Sequence, residues 1–240
     1  MYRDSKTRTV VKAITWRITA TLTTIVLVYL FTGQIQTAVE VGVLEMTAKL
    51  LFYYGHERLW DRLMFGRVEI PPFVLWITGI PHSGKTTLGD IVFKKLQSEN
   101  IKIQRLDSHD VRPLFPETGF TRKEINNHIK RVGHLTSMME NNGISTIASF
   151  VSPFTESRDF VRGICQNYIE VYLKTSADEI IEKYGCELFK KAKKGLVQNV
   201  AGMDIEYETS PGTELIIEMC DLTLEEAADK IVSYLKKNHL

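Results

Sequence analysis

The sequence lacks a marked excess of charge of either sign. Its 30 lysine and arginine residues are nearly balanced by 29 aspartate and glutamate residues. A strong positive excess is what draws a protein to the phosphates of nucleic acid. The overall charge therefore gives no case for a nucleic-acid partner, and we expect none.

Cysteine is scarce as well. The three cysteines, Cys165, Cys186 and Cys220, lie far apart and show neither C-x-x-C nor zinc-binding spacing. Disulfide frameworks and structural zinc sites are built from paired cysteines at closer spacing. We therefore predict a reduced, cytoplasmic setting for the soluble part of the chain.

Residues 1–70 differ in composition from the rest. Ala13–Thr32 contains one ionised residue, Arg17, and is long enough to cross a bilayer. Gly33-Gln34 predicts a turn, and Ile35–Tyr54 is a second, less purely apolar run. Lysine and arginine cluster before the first run and after the second, so the positive-inside rule places both ends in the cytoplasm. Aromatic residues suited to a membrane interface are Trp16, Tyr53, Tyr54 and Trp60.

The sequence thus predicts a transmembrane hairpin of two helices in the cell (inner) membrane. Charges at Glu40, Glu45 and Lys49 also fit a helix lying on the membrane surface or one packed inside a soluble domain. Each charge near the bilayer centre costs about 2.5–3.5 kcal/mol. Glu45 and Lys49 are one helical turn apart and can pair, and Arg17 enters at a similar depth in an antiparallel hairpin. A cleaved signal peptide is the poorer reading, because LFTGQIQT offers no small-x-small cleavage site.

The segment Ser5–Gly66 also resembles a small family of two-span membrane domains of unknown function. The similarity is clearest in KAITWRITATLTT and in the stretch ending YYGHERLWDR. This resemblance implies a membrane location and nothing about chemistry.

The stretch Phe73–Leu88 has the pattern of a phosphate-binding loop. Apolar, β-prone residues at Phe73–Thr78 precede a G-x-x-x-x-G-K-[ST] loop, and apolar residues at helical spacing follow it. Glycines allow the loop to aim backbone N–H groups at an anion near a helix N-terminus. The lysine then reaches the β- and γ-phosphates, and the threonine hydroxyl is placed to ligate Mg²⁺. The predicted nucleoside triphosphate-binding residues are Gly79, Ile80, Pro81, His82, Ser83, Gly84, Lys85 and Thr86.

Pro71-Pro72 marks a boundary, because proline stops an arriving helix. We therefore predict one domain at residues 1–70 and a second at residues 71–240. In the second, strands and helices alternate, which predicts a parallel α/β sheet with ligands at the carboxyl ends of its strands. The predicted strands are Phe73–Thr78, Lys102–Leu106, Ser145–Phe150, Ile169–Leu173 and Leu215–Glu218. The predicted helices are Lys85–Ser98, Arg122–Glu140, Glu156–Asn167, Ala177–Tyr184 and Leu224–Lys237.

The second predicted strand ends in RLDSHDVR. A carboxylate leaving a parallel strand beside a phosphate loop points at the Mg²⁺–phosphate region, so Asp107 is a candidate metal neighbour or proton acceptor. A helix cap or turn is the alternative for Asp107. Arg112 is a candidate clamp for an anionic substrate, and His109 with Asp110 a candidate acid–base pair. Exposed loop positions are the alternative for these three residues.

From Phe73 almost to the C-terminus, the chain resembles the adenylylsulfate (APS) kinase family. The matching segments, in order, are ITGIPHSGKTTL, RLDSHDVR, GFT…IKRVGHL, SFVSPFTESR, ELFKKAKKG and VAGMDIEYE. The resemblance implies a P-loop kinase with a mobile lid, usually a homodimer. Such enzymes transfer the γ-phosphoryl of Mg·ATP to the ribose 3′-OH of APS, and the product PAPS serves sulfate-group transfer.

The resemblance also implies roles for individual residues. Lys85, Asp107 and Ser152 would be catalytic, and Thr86 and Asp107 would hold the metal. Ser152 would carry a phosphoserine intermediate; the alternative is that its hydroxyl only shapes a turn. Residues implied to bind ATP are those from Gly79 to Thr87 and the lid lysines Lys190, Lys191 and Lys193. The alternative for the three lysines is a solvated helix face. Residues implied to contact the acceptor are His109, Asp110, Arg112, Phe120, His128, Phe150, Val151 and Pro153.

The departures from the family pattern fall on the acceptor side. The second Asp of the family's D-G-D-N is His109 and its Asn is Asp110, while an Asp-Arg pair and a later Asn fall on Glu124, Ile125 and His128. In the lid, a lysine and a phenylalanine fall on Cys186 and Val200. Three functions therefore remain open: a membrane-tethered APS kinase, a kinase of the same fold acting on another small alcohol such as a sugar, and a membrane nucleotide-binding switch without turnover.

Overall fold

The computed structural model describes residues 2–4, 6–31, 37–63, 67–99, 101–116, 118–220 and 222–240. The chain divides into two units, Tyr2–Ile70 and Pro71–Leu240. Each is described by itself below.

Two long helices make up most of the first unit. α1 spans Lys6–Phe31 and α2 spans Thr37–Arg62, and a short antiparallel pair, β1 (Tyr2–Asp4) with β2 (Arg67–Glu69), joins the two ends. The predicted turn at Gly33-Gln34 lies outside the described residues. Among the residues that are described, no helix contains a stretch long and apolar enough to cross a membrane. The two predicted helices are confirmed as helices but not as membrane spans.

Arg8 connects the two helices of the first unit at the end where α1 begins and α2 ends. Its guanidinium is 1% exposed and donates to the backbone carbonyls of Trp60 and Leu63 in the last turn of α2. A cation that satisfies the last carbonyls of a helix also complements its dipole. Trp60 lies beneath the guanidinium, 5.0 Å from ring centroid to Cζ, and is buried. Trp60 is therefore a packing residue and not the interfacial aromatic that the sequence predicted.

The second unit contains a five-stranded parallel sheet. Its strands are β3 (Val74–Thr78), β4 (Ile103–Asp107), β5 (Ser145–Phe150), β6 (Tyr168–Lys174) and β7 (Leu215–Glu218), in the order β4-β5-β3-β6-β7. Its helices are α3 (Lys85–Gln97), α4 (Ser108–Val111), α5 (Arg122–Asn141), α6 (Thr155–Ile164), α7 (Ala177–Tyr184), α8 (Glu187–Lys193) and α9 (Leu224–Asn238). The predicted parallel α/β fold is confirmed.

Side chains of the central strand β3 alternate between two hydrophobic cores. Leu75 and Ile77 pack with α3 and α9 on one face of the sheet. Val74 and Trp76 pack with α5 and α6 on the other. Because every residue of β3 is buried, the strand reads as a continuous apolar run, as expected of a parallel sheet covered on both sides.

A third, smaller core joins α7, α8 and the segment after them to the phosphate loop. We call residues 177–203 the lid segment. Phe189 of α8 is fully buried in this core, together with Val200 and with Ile80 of the phosphate loop. The lid segment is thus packed directly on the loop that follows β3.

Candidate active site

The loop between β3 and α3 has the backbone that phosphate binding requires. Gly79 has φ +152° and Gly84 has φ +92°, and α3 begins at Lys85. A Cβ on Gly79 would lie 2.7 Å from the backbone oxygen of Leu173, so no side chain fits there. His82 also has a positive φ, of 59°. Consecutive N–H groups at the start of α3 can therefore converge on an anion.

Lys85 is folded back on this loop. Its ammonium is buried and donates to the Ile80 backbone oxygen at 2.6 Å and to the Ser83 hydroxyl at 3.2 Å. Burial lowers the pKa of Lys85 to about 7, although the charge of Asp107 acts in the opposite direction. The amine is thus held beside the loop with its charge poorly compensated, which favours an incoming phosphate.

Thr86 and Asp107 meet across the carboxyl ends of β3 and β4. The Thr86 hydroxyl donates to Asp107 Oδ2 at 2.7 Å, and the His109 N–H donates to Asp107 Oδ1 at 2.9 Å. Asp107 is therefore the N-cap of α4, which was the alternative that the sequence offered, while its other oxygen accepts from the Thr86 hydroxyl. Hydroxyl and carboxylate oxygens suit Mg²⁺, which usually takes one or two protein ligands and completes its shell with phosphates and water. In the described part of the chain, no cluster of three or more His, Cys, Asp or Glu side chains offers an alternative metal site.

A cavity of about 420 Å³, here called the phosphate pocket, surrounds these groups. Its lining residues are Pro81, His82, Gly84, Lys85, Thr86, Thr87, Asp107, Ser108, His109, Ser149 and Val151. The structure thus brings most of the predicted loop residues together with Asp107 and His109, whereas Gly79, Ile80 and Ser83 do not line this cavity.

A second cavity of about 320 Å³, here called the acceptor pocket, adjoins it and shares Pro81, Ser108 and Val151. Predicted acceptor residues in its lining are Arg112, Phe120, His128, Phe150, Val151 and Pro153. The Arg112 guanidinium lies 4.0 Å from the centroid of the Phe120 ring and donates to the backbone oxygens of Thr118 and Gly119. Partial burial lowers the pKa of Arg112 from its ordinary value, but a guanidinium stays charged at neutral pH. Most other walls of this pocket are apolar.

His128 forms part of the acceptor pocket from the buried face of α5. Its ring meets those of Phe115 and Phe150 edge-on, with both centroid distances at 6.0 Å. Burial, with the charges of Arg112 and Arg131, lowers the pKa of His128 to about 4, so the ring is neutral at physiological pH.

Asp110 is not brought into either pocket. Its carboxylate is exposed and pairs with Arg105 at 3.0 Å, and Arg105 also binds Asp90 on α3 at 2.6 Å. The predicted acid–base pair of His109 with Asp110 is therefore wrong, since only His109 lines a pocket.

Ser152 lies behind the site and not in it. It is fully buried, and its hydroxyl accepts from the Trp76 indole at 3.0 Å and is hydrogen-bonded to Thr78 at 2.8 Å. Thr78 in turn bonds the Tyr207 hydroxyl. A hydroxyl enclosed in this way supports a structural role and gives no support to the predicted phosphoserine intermediate.

The lid lysines point away from the phosphate pocket. Lys190, Lys191 and Lys193 are exposed, Lys190 pairs with Glu187 at 3.6 Å, and Lys193 pairs with Asp178 of α7. None of the three is among the residues that line the phosphate pocket or the acceptor pocket. This arrangement corresponds to the alternative of a solvated helix face.

A third cavity, of about 510 Å³, lies on the other side of the phosphate loop and shares His82, Gly84 and Thr87 with the phosphate pocket. Its further lining residues, which the sequence reading missed, include Thr175, Lys183, Tyr184, Cys220 and Thr223. Thr175 follows β6 directly, and Cys220 follows β7 closely. The rule that ligands gather at the carboxyl ends of parallel strands was the signal that could have found them.

Comparison with known proteins agrees with this geometry. The family model for adenylylsulphate kinase matches residues 71–218, and a family described as predicted membrane proteins matches residues 10–61. A probable adenylyl-sulfate kinase of Pseudomonas aeruginosa is 33% identical over 166 residues, covering 69% of this chain and 78% of that protein. The adenylyl-sulfate kinase of Staphylococcus carnosus is also 33% identical, covering 68% and 83%.

A solved structure shows the same fold. The APS kinase of Mycobacterium tuberculosis, in complex with AMPPNP and APS, superposes with a TM-score of 0.64 at 23% identity, over 69% of this chain and 98% of that chain. The family match over most of the chain, and the identity to curated relatives over most of their length, lead to one conclusion. The chain belongs to the adenylylsulfate kinase family.

Proposed function

We propose that this chain transfers the γ-phosphoryl group of ATP to the 3′-hydroxyl of adenylylsulfate. The observation that carries the proposal is the Thr86–Asp107 hydrogen bond at 2.7 Å, which places a hydroxyl and a carboxylate in the phosphate pocket, with Asp107 directly before Ser108, a residue that lines both pockets. A phosphoryl group in transfer must lie where the two pockets meet, in line between donor and acceptor oxygens.

The donor side is assembled from the phosphate loop. Backbone N–H groups at the start of α3 bind the phosphates, and the Lys85 ammonium exchanges its contacts with Ile80 and Ser83 for phosphate oxygens. Thr86 and Asp107 would hold Mg²⁺, which would neutralise part of the phosphate charge. The nucleoside of ATP occupies the cavity beside Thr87 and Tyr184.

Asp107 takes the proton of the attacking hydroxyl or orients that hydroxyl toward the γ-phosphorus. Its carboxylate is buried and already fixed by two hydrogen bonds, so no reorganisation is needed when the acceptor arrives. Phosphoryl transfer depends mainly on positioning and on charge neutralisation, so no covalent enzyme intermediate is required.

The apolar lining of the acceptor pocket supports a nucleotide acceptor over a sugar. Phe120, Phe150, Ile125, Pro153 and Val200 present flat or aliphatic surfaces. A polyol in such surroundings would lose water from several hydroxyls without replacing the hydrogen bonds. A heteroaromatic base loses far less, and Arg112 supplies the cation that an anionic nucleotide needs.

The test is ATP turnover by the full chain with APS, compared with a panel of sugars and small alcohols. We expect saturable, APS-dependent ADP release at micromolar APS. Turnover with another acceptor and not with APS would identify that other compound as the substrate. Nucleotide binding without turnover on any acceptor would favour a membrane switch.

We also propose that residues 1–70 and residues 71–240 are separate functional modules, the first a two-span anchor with both ends in the cytoplasm. The match to a predicted membrane protein family and the apolar composition support membrane association. Extraction of the intact chain by alkaline carbonate without detergent would contradict a spanning anchor. The family resemblance supports a homodimer, which sedimentation of the purified chain would test.

A further inference from the structure

His128 is buried where an aliphatic residue would pack without cost. It belongs to the face of α5 that also carries Ile129 and Val132, both buried against the sheet. The ring is 5% exposed and is surrounded by Phe115 and Phe150. Burying two polar nitrogens at such a position is unfavourable unless something binds them.

No protein group in the described part of the chain binds them. Both ring nitrogens of His128 lack a hydrogen-bond partner, as does the Thr118 hydroxyl in the same pocket. Thr136, two turns further along α5 and fully buried, shows the usual outcome, since its hydroxyl donates to the Gly133 carbonyl at 2.8 Å. Buried polar groups in native proteins are normally satisfied in this way. The unpaired atoms at the acceptor pocket therefore indicate a ligand group that completes them.

The chemistry around His128 restricts what that ligand group can be. The ring is neutral, so it offers one N–H donor and one acceptor nitrogen and does not attract an anion. The cation of the pocket is Arg112, which lies on the face of Phe120. A flat aromatic surface, an arginine and a neutral donor–acceptor ring suit the base of a nucleotide better than a phosphate or a sulfate.

We infer that His128 is the residue by which this chain selects its acceptor, through a hydrogen bond to the polar edge of the acceptor's base. This inference rests on the proposed function, because it assumes a nucleotide acceptor. The apolar walls of the pocket accept any flat base, whereas a hydrogen bond discriminates between bases of the same shape. His128 therefore supplies the preference for one base over another.

The test compares steady-state kinetics of the full chain and three variants. His128→Phe keeps a flat ring and removes both nitrogens, whereas His128→Asn restores a donor and an acceptor. His134→Phe is the matched control, since His134 lies on the same helix, is exposed, and stacks edge-on against Phe160 at 5.4 Å.

We expect His128→Phe to raise the KM for APS by about 10- to 100-fold, as expected when a ligand's polar group is left unpaired. The KM for ATP and the thermal unfolding midpoint should stay near those of the wild type. His128→Asn should recover most of the APS affinity, and His134→Phe should change neither KM.

An unchanged KM for APS in His128→Phe overturns the inference and leaves the proposed function standing. An equal rise in the KM for APS and for ATP, with a lower unfolding midpoint, assigns His128 to packing and also overturns the inference. Absence of APS-dependent turnover in the wild type overturns the proposed function, and the inference with it.

Discussion

Asp107 is the residue on which the proposed transfer depends most. Its two oxygens are already engaged by Thr86 and by the His109 N–H, so its position is fixed before any substrate binds. A general base or metal ligand held in this way contributes through its charge, which an amide of the same shape lacks.

We therefore expect Asp107→Asn to lower kcat by at least about 100-fold while the fold survives. Asp110→Asn is the control, because Asp110 is three residues away, exposed, and paired with Arg105. Rapid-quench or coupled ADP-release assays measure the effect. A near-normal kcat in Asp107→Asn would remove Asp107 from the catalytic groups.

Ser152 should behave as a structural hydroxyl. Ser152→Ala leaves the Trp76 indole N–H without its acceptor in the core, at a cost of about 1–3 kcal/mol in the free energy of unfolding. We expect kcat to change less than about fivefold, and no phosphate on the protein by mass spectrometry during turnover. A large loss of kcat at unchanged stability would instead support a phosphoserine.

The low pKa of His128 predicts a pH dependence of stability. The folded state holds the ring neutral down to about pH 4, whereas the unfolded chain protonates it near its ordinary pKa of 6.5. Between these values the unfolded state binds more protons, so the free energy of unfolding falls as the pH falls through this window. Urea titrations from pH 7 to pH 4 should show a smaller loss for His128→Asn than for the wild type. Parallel losses in the two proteins would contradict a buried neutral ring.

Only some residues of the site could be predicted from the sequence. The phosphate loop could be predicted because its glycines, lysine and threonine occur at fixed spacing. Asp110 could not, because its direction depends on Arg105 of β4, which is held in place by an ion pair with Asp90 on α3. The same applies to Ser152, whose burial depends on Trp76 and Thr78 one strand away.

At the scale of elements, the lid segment and the phosphate loop form one packed unit through Ile80. Gly202 has φ +87°, and a Cβ there would lie 2.9 Å from Ile80 Cγ2. Gly195 has a similar φ of +70°, but open space surrounds its missing Cβ. Both glycines therefore have a positive φ, but only at Gly202 would an added Cβ contact a neighbouring residue.

We expect Gly202→Ala to raise the KM for ATP several-fold, because the added methyl displaces Ile80 and with it the loop. Gly195→Ala should lose only about 1 kcal/mol of stability to the backbone conformation and leave the KM near that of the wild type. Equal KM values in the two variants would show that the lid contact does not reach the phosphate loop.

The five strands and five of the helices of the second unit could be predicted to within a few residues, because apolar periodicity and turn residues are local signals. The end of α6 shows where this fails. The sequence predicts helix to Asn167, but the Glu140 carboxylate of α5 accepts the N–H groups of Gln166 and Asn167, and the helix ends at Ile164. The short helices α4 and α8 were missed because neither is long enough to show a period.

At the scale of the whole molecule, the division into two units predicts that phosphoryl transfer does not require the first unit. Deletion of residues 1–70 should leave kcat and both KM values of the remaining chain within about twofold of the wild type, because the pockets are lined entirely by residues of the second unit. Activity assays and membrane fractionation of the two proteins measure this. Loss of turnover on deletion would show that the second unit depends on residues 1–70 for its activity.

The strand order of the sheet has a consequence for synthesis. β3 lies at the centre, yet the Phe73 N–H just before it bonds Ser145, 72 residues later, and Pro72 accepts from Asn167, 95 residues later. At about 5–20 residues per second, the ribosome delivers these partners roughly 4–19 s after the apolar VLWIT has emerged. During that delay the central strand lacks both of its neighbours, so its apolar side chains and unpaired edges are open to aggregation.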